Sequence, residues 1–343
     1  MDTQIITNPS EQELDMLARA LRNGELVSIP TETVYGLGAN GLDPEAMDKI
    51  YAAKGRPSDN PLILHVPNSE SIKPLVTAVS KTAQLLMDTF WPGPLTITLP
   101  KSDLVPDRAT GGLPRVALRC PDHKVCRALL ERAGVPVAAP SANISGRPSP
   151  TTAQDVYHDM NGRISYILDA GPCTIGVEST VVEVHDDKVI ILRPGGITKA
   201  QLETVVSTVE YDTALVNATT KPKAPGMKYT HYAPDAPMTV VVGHPEVIAS
   251  TFKELSEGKE GPIGCLVSHE TYDLIKDDTR FMYHCFGHHG DALALGHDFY
   301  KSLLHFNENH VTLILAEGVN DDGFGVAIMN RMEKASGHHI IYK

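Results

Sequence analysis

The stretch KGRPSDNPLILHV, residues 54–66, joins the end of a helix, a polar turn and a short apolar strand. Lys54 and Arg56 stand two residues apart, Asn60 follows, and glycine and proline hold them in a loop or at a helix end. Cations beside polar turn residues suit a ligand that carries several phosphates. The stretch therefore indicates a polyanion site, although a solvated surface loop has the same composition.

A second stretch of the same character is PSANISGRPSP, residues 140–150, a serine- and asparagine-rich turn that carries Arg147. By itself it also fits a solvated surface loop. Because the chain holds several stretches of this kind, we favour one phosphate-binding site that is assembled from separate loops.

Length and charge limit the kind of protein. The chain has 343 residues, of which 42% are hydrophobic and 21% charged, and these values predict about two globular domains. Residues 1–217 carry 19 basic and 26 acidic side chains, and residues 236–343 carry 8 and 15. The net charge of −12 argues against a general nucleic-acid binder. Any phosphate site must be a local cluster of cations.

The lack of a recognisable targeting signal and the scattered cysteines predict a reducing compartment. No apolar run is long enough to span a membrane, and the start of the chain has no apolar signal core. The five cysteines form no CxxC pair, and they lie at Cys120, Cys126, Cys173, Cys265 and Cys285. We therefore expect reduced thiols and a cytoplasmic protein.

Residues 1–211 are predicted to form a mixed α/β domain. Ser10 and Glu13 make a capping box before one helix, and Asp43 begins another that runs to Lys54. Further helices are expected near residues 80–90, 122–133, 152–160 and 198–207. The predicted strands are LVSIP (26–30), LILHV (62–66), LTITL (95–99), RVALR (115–119), VPVAA (135–139), SYILD (165–169), STVVEV (179–184) and VIILR (189–193).

Two of the predicted strands carry polar groups, and their spacing indicates which face of each strand they occupy. Even spacing places Arg115 and Arg119 on the same face of their strand, and His65 on the face of Ile63. A lone strand histidine is also typical of a packed core. Separately, the turn at Tyr35–Gly38 is expected to line a cleft, and so is the turn residue Glu178.

The remaining chain is predicted to contain a linker and a second domain. Residues 212–237 are rich in proline and read as a semi-rigid linker. Residues 238–343 alternate strands with helices, which predicts a smaller, Rossmann-like domain without a GxGxxG dinucleotide motif. The segment HCFGHHG (284–290) invites a metal hypothesis, but its spacing matches no standard zinc pattern, and we predict no metal site.

Seven motifs in a fixed order carry a resemblance to a known family. They are PTETVYGLG (30–38), KGRPSDNPLILHV (54–66), WPGPLTITL (91–99), PRVALRCPDH (114–123), PSANISGRPSPT (140–151), GVESTVVEV (176–184) and LRPGG (192–196). Together they resemble the YrdC-type family. The linker APGMKYTHYAP (224–234) and the domain after it resemble the longer, two-domain form of that family, the threonylcarbamoyl-adenylate synthases. The resemblance implies a YrdC-like twisted mixed sheet with helices and a concave cleft, followed by the smaller α/β domain.

The resemblance also implies a reaction. L-threonine, bicarbonate or CO2, and ATP give threonylcarbamoyl-AMP and pyrophosphate, and a separate transferase uses the product to modify the adenosine next to the anticodon of tRNA. Such a displacement needs positioning and charge neutralisation more than a covalent nucleophile. The chain accordingly shows no P-loop and no Ser-His-Asp pattern. Mg²⁺, held mainly by ATP phosphates and waters, is expected.

Site residues carried over from the resemblance fall into three sets. The catalytic set is Lys54, Arg56, Ser141 and Asn143. The ATP-binding set is Lys54, Arg56, Asn60, Arg115, Ser141, Asn143, Ser149, Arg193 and, on the linker, Tyr229, His231 and Tyr232. The L-threonine set is Thr33, Tyr35, His65, Arg119, Ala139 and Ser179. The linker, with aromatic rings around Lys228, is expected to act as a flap over the bound ligand.

Two other readings stay open at this point. One is an RNA-binding module of the same fold, which would need a basic stripe beyond a single cleft. The other is a related carbamoyl-adenylate chemistry, as in the YrdC-like part of hydrogenase maturation proteins. Those proteins carry acylphosphatase and zinc-finger segments that this sequence lacks.

Overall fold

The computed structural model of the chain describes residues 2–215 and 231–343. The chain divides into two units, of which the second contains residues 231–343, and the short segments 146–148 and 175–177 group with this second unit. Lys228 and Tyr229 of the predicted linker lie outside the described residues. The predicted domain boundaries at residues 211 and 238 stay predictions.

The first unit contains an eleven-stranded mixed sheet. Its strands are β1 (Gln4–Thr7), β2 (Val27–Ile29), β3 (Gly36–Asn40), β4 (Ile63–His65), β5 (Leu95–Pro100), β6 (Arg115–Arg119), β7 (Val137–Ala138), β8 (Tyr166–Asp169), β9 (Thr180–Val184), β10 (Val189–Arg193) and β11 (Val209–Tyr211). They lie in the order β1-β8-β2-β3-β7-β4-β6-β5-β9-β10-β11, so parallel and antiparallel pairs alternate irregularly.

The helices of this unit begin where the sequence provides caps. They are α1 (Glu11–Arg22), α2 (Pro44–Lys54), α3 (Lys81–Phe90), α4 (Asp107–Thr110), α5 (Lys124–Ala133), α6 (Ala153–Met160) and α7 (Lys199–Glu203), with 3-10 turns at Glu70–Leu75 and Thr213–Leu215. The Ser10–Glu13 capping box forms as predicted. Helix α2 ends at Gly55, whose φ of 61° is left-handed and favours glycine.

The two faces of the sheet are packed differently. Helices α1 and α5 cover one face over β2 and β7, where their apolar residues form a core with Val27, Ile29 and Val137. Over β4, β6, β9 and β10 the same face holds a small cluster made of strand residues alone, which are Ile63, Ala117, Val181 and Leu192. Helices α2, α3 and α6 pack on the opposite face. The strands β4, β6, β5 and β9 thus present one face that the described helices of this unit leave free for a site.

The second unit is built on a parallel five-stranded sheet in the order β14-β13-β15-β12-β16. Its strands are β12 (Met238–Val242), β13 (Ile263–Val267), β14 (Phe281–Cys285), β15 (Leu313–Glu317) and β16 (Ile340–Tyr342). Its helices are α8 (Pro245–Ser256), α9 (His269–Ile275), α10 (Ala292–Glu308) and α11 (Gly325–Ala335). Helix α8 packs beside α9, and α10 packs beside α11. This arrangement is the predicted Rossmann-like domain.

The predicted fold class is confirmed, but the turn predicted at Tyr35 was wrong. Gly36 and Gly38 lie in β3, which pairs antiparallel with β2. A Cβ atom at Gly38 would lie 2.8 Å from the Val27 carbonyl oxygen and 2.9 Å from Val137 Cγ1, so the strand approaches its neighbours too closely for a side chain. The strands β1, β3, β11 and β16 and the helices α4 and α9 were not predicted from the sequence.

Among the described residues, every helix is too short or too polar to cross a membrane.

Candidate active site

The register of β4 and β6 fixes the centre of the candidate site. The two strands are parallel, and His65 pairs directly with Arg119 while Ile63 pairs with Ala117. Because side chains alternate along a strand, His65, Arg119 and Arg115 lie on the face that carries the small strand cluster. The structure therefore brings three of the predicted residues together on one face of the sheet, and Arg115 and Arg119 share a face as their spacing predicted.

Arg119 is held by a carboxylate that the sequence analysis did not select. Glu32, in the loop between β2 and β3, places Oε1 2.7 Å from Arg119 Nη2. Both residues are buried, at 6% and 4% exposure. Glu32 lies within the quoted motif PTETVYGLG, next to the predicted Thr33. An acidic residue between two threonines at the end of a buried strand was the available signal, because such a position rarely holds an unpaired charge.

His65 is a neutral imidazole in this environment. Burial, with the positive charge of Arg119, lowers the pKa of His65 to about 3. Its Nδ1 lies 3.2 Å from the Ile63 carbonyl oxygen. The ring therefore offers a ligand hydrogen-bonding capacity without charge.

A second polar cluster lies where β5 and β9 begin. Arg193 donates from Nε and Nη2 to the Ser179 carbonyl oxygen at 3.1 and 2.9 Å, and from Nη2 to Ser179 Oγ at 3.1 Å. The hydroxyls of Ser179 and Thr96 are 2.8 Å apart. A Cβ atom at Gly195 would lie 2.4 Å from the carbonyl oxygen of Glu178, so any residue other than glycine would clash with the backbone here. Thr96 was missed, although its alternation with Thr98 along β5 places it on this face.

The turn before β9 adds a third polar contact. Ser149 donates its hydroxyl to Glu178 Oε1 at 2.7 Å, and both side chains are buried. Glu178 is thus positioned beside a predicted nucleotide contact, in agreement with the expectation that this carboxylate faces inward.

Lys54, for which the sequence predicted a phosphate contact, is buried in the structure. It is 2% exposed, and its ammonium donates to the backbone carbonyl oxygens of Ser141 and Asn143. Burial and the neighbouring Arg56 hold the pKa of Lys54 well below its usual value. Ser145 N returns a hydrogen bond to the Lys54 carbonyl oxygen at 2.8 Å. Lys54 thereby ties KGRPSDN to PSANISG, the two stretches that were expected to share one site.

The other residues of these two loops are also well anchored. Arg56 donates from Nη2 to the Pro61 carbonyl oxygen at 3.1 Å. Asn60 is 2% exposed, and Tyr51 donates to its backbone oxygen at 3.1 Å. Asn143 donates from Nδ2 to the Ile144 carbonyl oxygen at 2.8 Å. These hydrogen bonds connect both loops to the neighbouring backbone.

Arg115 borders a cavity at the other end of β6. Its Nη2 donates to the carbonyl oxygens of Thr98 and Val184 at 2.6 and 2.9 Å. The cavity has a volume of about 250 Å³, and it is lined by Pro61, Leu62, Thr98, Thr110, Leu113, Pro114, Arg115, Ala117 and Glu183. Apolar walls with one arginine and one carboxylate suit a flat, polar-edged group.

Two of the predicted threonine contacts, Thr33 and Ala139, and the predicted nucleotide contact Ser141 have defined partners in the structure. Thr33 is buried, with its hydroxyl 2.9 Å from that of Thr31. Ala139 donates its N–H to the Ile63 carbonyl oxygen at 3.0 Å, and Ser141 pairs with Gly36. Tyr35 is different, because it belongs to the core of the opposite face.

The hydroxyl of Tyr35 donates to the Gly171 carbonyl oxygen at 2.7 Å. Burial raises the pKa of Tyr35. Tyr35 therefore supports the end of β8 rather than joining His65 and Arg119.

His231 and Tyr232 of the predicted linker are described as part of the second unit. Tyr232 is 5% exposed, and its ring centroid lies 5.3 Å from that of Tyr300 in α10. The buried Arg331 of α11 lies over the same ring at 5.8 Å. The next residue, Ala233, donates its N–H to the Gly146 carbonyl oxygen at 2.8 Å. Tyr232 is thus packed into the second unit, while its predicted contact with ATP stays a prediction.

The histidines of HCFGHHG are each paired with a carboxylate. His284 pairs with Asp298, His288 with Glu270, and His289 with the buried Glu317. Within residues 2–215 and 231–343, no three histidine, cysteine or acidic side chains are grouped so that they could hold a metal ion.

Comparison with known proteins gives the chain its family. Residues 19–195 match the family model of Sua5, YciO and YrdC, described as "Telomere recombination". The chain belongs to this family. Residues 197–337 match a second model, "Threonylcarbamoyl-AMP synthase, C-terminal domain". The two-domain form that the motifs suggested is confirmed.

Two relatives that match over nearly their whole length are both named threonylcarbamoyl-AMP synthase. A threonylcarbamoyl-AMP synthase of Bacillus subtilis is 46% identical, over 97% of this chain and 95% of that protein. One of Pyrococcus abyssi is 43% identical, over 96% of each.

Solved structures of the family agree with the fold. P. abyssi Sua5 complexed with L-threonine is 41% identical and superposes with a TM-score of 0.90 over 100% of both chains. Escherichia coli YciO, at 23% identity and a TM-score of 0.51, covers 57% of this chain and 96% of its own, and it shares the fold alone.

Proposed function

We propose that this chain synthesises L-threonylcarbamoyl-AMP from L-threonine, bicarbonate or CO2, and ATP, with release of pyrophosphate. The observation that carries the proposal is the similarity over nearly the whole chain to relatives named threonylcarbamoyl-AMP synthase. The enzyme is thus a nucleotidyltransferase. It acts in the first step of tRNA threonylcarbamoyladenosine formation.

The threonine side of the reaction is assigned to the group around Arg119. A guanidinium binds a carboxylate through two parallel hydrogen bonds, so Arg119 takes the carboxylate of threonine. The threonine hydroxyl is bound by the hydroxyls of Ser179 and Thr33 and by a ring nitrogen of the uncharged His65. The ammonium group first gives a proton to solvent. The free amine nitrogen then attacks the carbon of CO2 and releases a second proton to solvent, which gives a carbamate.

The nucleotide side is assigned to the loops that Lys54 ties together. A carbamate oxygen attacks the α-phosphorus, the bond to the pyrophosphate oxygen breaks, and pyrophosphate leaves. Arg56, Arg115 and Arg193 neutralise the charge that develops on the phosphates. The hydroxyls of Ser141 and Ser149 and the amides of Asn60 and Asn143 position the nucleotide.

Magnesium enters as the ATP complex in this proposal. Mg²⁺ usually keeps several waters and is bound through substrate phosphates and at most a few carboxylates. The described residues provide no group of three potential metal ligands, and this donor set fits an ion that arrives with its nucleotide. The ion supplies charge neutralisation on the phosphates.

The cellular setting follows from the product. A mixed anhydride of a carbamate and AMP is readily hydrolysed, so we propose direct use by a separate tRNA threonylcarbamoyl transferase. The described cysteines are free, and four of the five are buried, which fits a cytoplasmic, reducing compartment. The alternative of an RNA-binding module is not favoured, because neither large part of the chain is basic.

Pyrophosphate release tests the proposal directly. The purified chain is mixed with ATP, Mg²⁺ and bicarbonate, and each amino acid is added in turn. Threonine should give strong release and serine a weak one, because a methyl-sized pocket discriminates by roughly 10–200-fold. Valine should give far less, since it leaves the groups that bind the threonine hydroxyl unpaired. Equal release without any amino acid would contradict the proposal.

A further inference from the structure

The ion pair of Glu32 and Arg119 is buried on the sheet face that carries the site. Glu32 Oε1 lies 2.7 Å from Arg119 Nη2, and their side chains are 7% and 5% exposed. The carboxylate comes from the loop after β2, and the guanidinium comes from the last residue of β6. A charge that is buried to this extent is stable only when another charge or hydrogen bonds compensate it.

The pair leaves two of its polar atoms without a partner. Glu32 Oε1 and Arg119 Nη2 contact each other, but within the described residues Glu32 Oε2 and Arg119 Nε have no hydrogen-bond partner. Buried donors and acceptors are almost always paired in proteins. Two such atoms beside one buried ion pair therefore mark a place where a polar ligand completes the arrangement.

The pair and the histidine beside it carry no net charge together. His65, opposite Arg119, is neutral because burial and Arg119 lower its pKa to about 3. The carboxylate of Glu32 and the guanidinium of Arg119 compensate each other. A ligand at Arg119 therefore meets a balanced pair of charges.

We propose that Glu32 determines specificity for the zwitterionic form of the amino acid by cancelling the charge of Arg119. This inference rests on the proposed function, since it names what the threonine site selects. Arg119 alone would attract any carboxylate. With Glu32 beside it, a bare anion would leave one negative charge uncompensated in a buried site, whereas the ammonium group of an amino acid restores neutrality.

The test compares threonine with (R)-3-hydroxybutyrate, which is threonine without its amino group. Binding of both is measured by thermal shift and by competition for pyrophosphate release, with wild type, Glu32→Gln and Glu32→Asp. Glu32→Gln should shift the ratio of the two affinities toward hydroxybutyrate by about tenfold or more, because the amide leaves Arg119 uncompensated. Glu32→Asp keeps the charge and should keep the ratio.

Glu317→Gln is the matched control. It neutralises another buried carboxylate, which lies in the second unit and accepts from the backbone N–H and the hydroxyl of Ser268, and the ratio should stay at the wild-type value. If Glu32→Gln weakens both ligands equally, Glu32 is only a structural support and the inference is overturned.

If Glu32→Gln fails to fold, the affinities of wild type for the two ligands still test the inference. Hydroxybutyrate should then bind wild type at least about tenfold more weakly than threonine, and equal binding would overturn the inference. The proposed function fails in a different way, since threonine would then bind without promoting pyrophosphate release.

Discussion

His65 and Arg119 face each other directly across the parallel strands β4 and β6. The pairing puts an ionisable imidazole next to a buried guanidinium, where a second positive charge is strongly disfavoured. Protonation of His65 is therefore coupled to unfolding, and this coupling gives the first prediction.

Acid should destabilise the protein through His65. The pKa of His65 is lowered to about 3 in the folded chain, against about 6.5 in an unfolded one. Above pH 6.5 neither state binds the proton, so His65 costs no stability. Between pH 6.5 and 3 only the unfolded state binds it, and stability falls by about 1.4 kcal/mol per pH unit from this group. Urea unfolding of wild type and His65→Asn between pH 7 and pH 4.5 measures the effect.

The variant His65→Asn should lose this part of the pH dependence, whatever its stability at pH 7. The difference in slope between the two proteins should approach one proton. Parallel curves for wild type and variant would show that His65 titrates normally in the folded state.

Lys54 and Arg56 should respond differently to substitution. Lys54→Met keeps most of the side-chain volume but leaves the Ser141 and Asn143 carbonyl oxygens without their donor, at a cost of about 1–3 kcal/mol each. Arg56→Ala removes a partly exposed loop side chain and should cost less than about 1 kcal/mol of stability. Its loss of transition-state stabilisation should be on the order of 2–4 kcal/mol.

Thermal unfolding and pyrophosphate release, measured on both variants, separate the two roles. Lys54→Met should melt well below wild type, and Arg56→Ala should melt near it while its turnover falls. A Lys54→Met protein with the melting temperature of wild type would refute the tying role of this lysine.

Local patterns were enough to predict much of the fold. The capping box at Ser10 and Glu13 and the alternation in RVALR act over a few residues, and both were read correctly. Strand β3 was missed because GLGAN has low strand propensity. It is a strand because it pairs with β2 and β7, and the close approach of Val27 and Val137 requires glycine at position 38. That constraint comes from chain segments far away in sequence.

The types of residue in the site could be predicted from the sequence, but which of them are buried and which of them contact each other could not. Lys54 looked like a solvated loop cation, and its carbonyl partners are 87 and 89 residues away. Glu32 was passed over because its partner Arg119 is on another strand. Long-range pairing of charges is invisible to periodicity, so the sequence indicates which groups matter and the fold decides which of them meet.

Tyr232 provides the last prediction, because its ring is packed in the second unit against Tyr300 and under Arg331. Tyr232→Ala should lower the unfolding free energy by about 3 kcal/mol, as for other buried aromatic residues. Tyr232→Phe keeps the ring and should cost at most one hydrogen bond, about 1 kcal/mol. Tyr342→Ala is the control, since that ring is 67% exposed and should be nearly neutral. Calorimetry of the three variants, with the KM for ATP, distinguishes packing from ligand contact. A Tyr232→Ala protein of unchanged stability but raised KM would show that the ring serves the nucleotide and not the core.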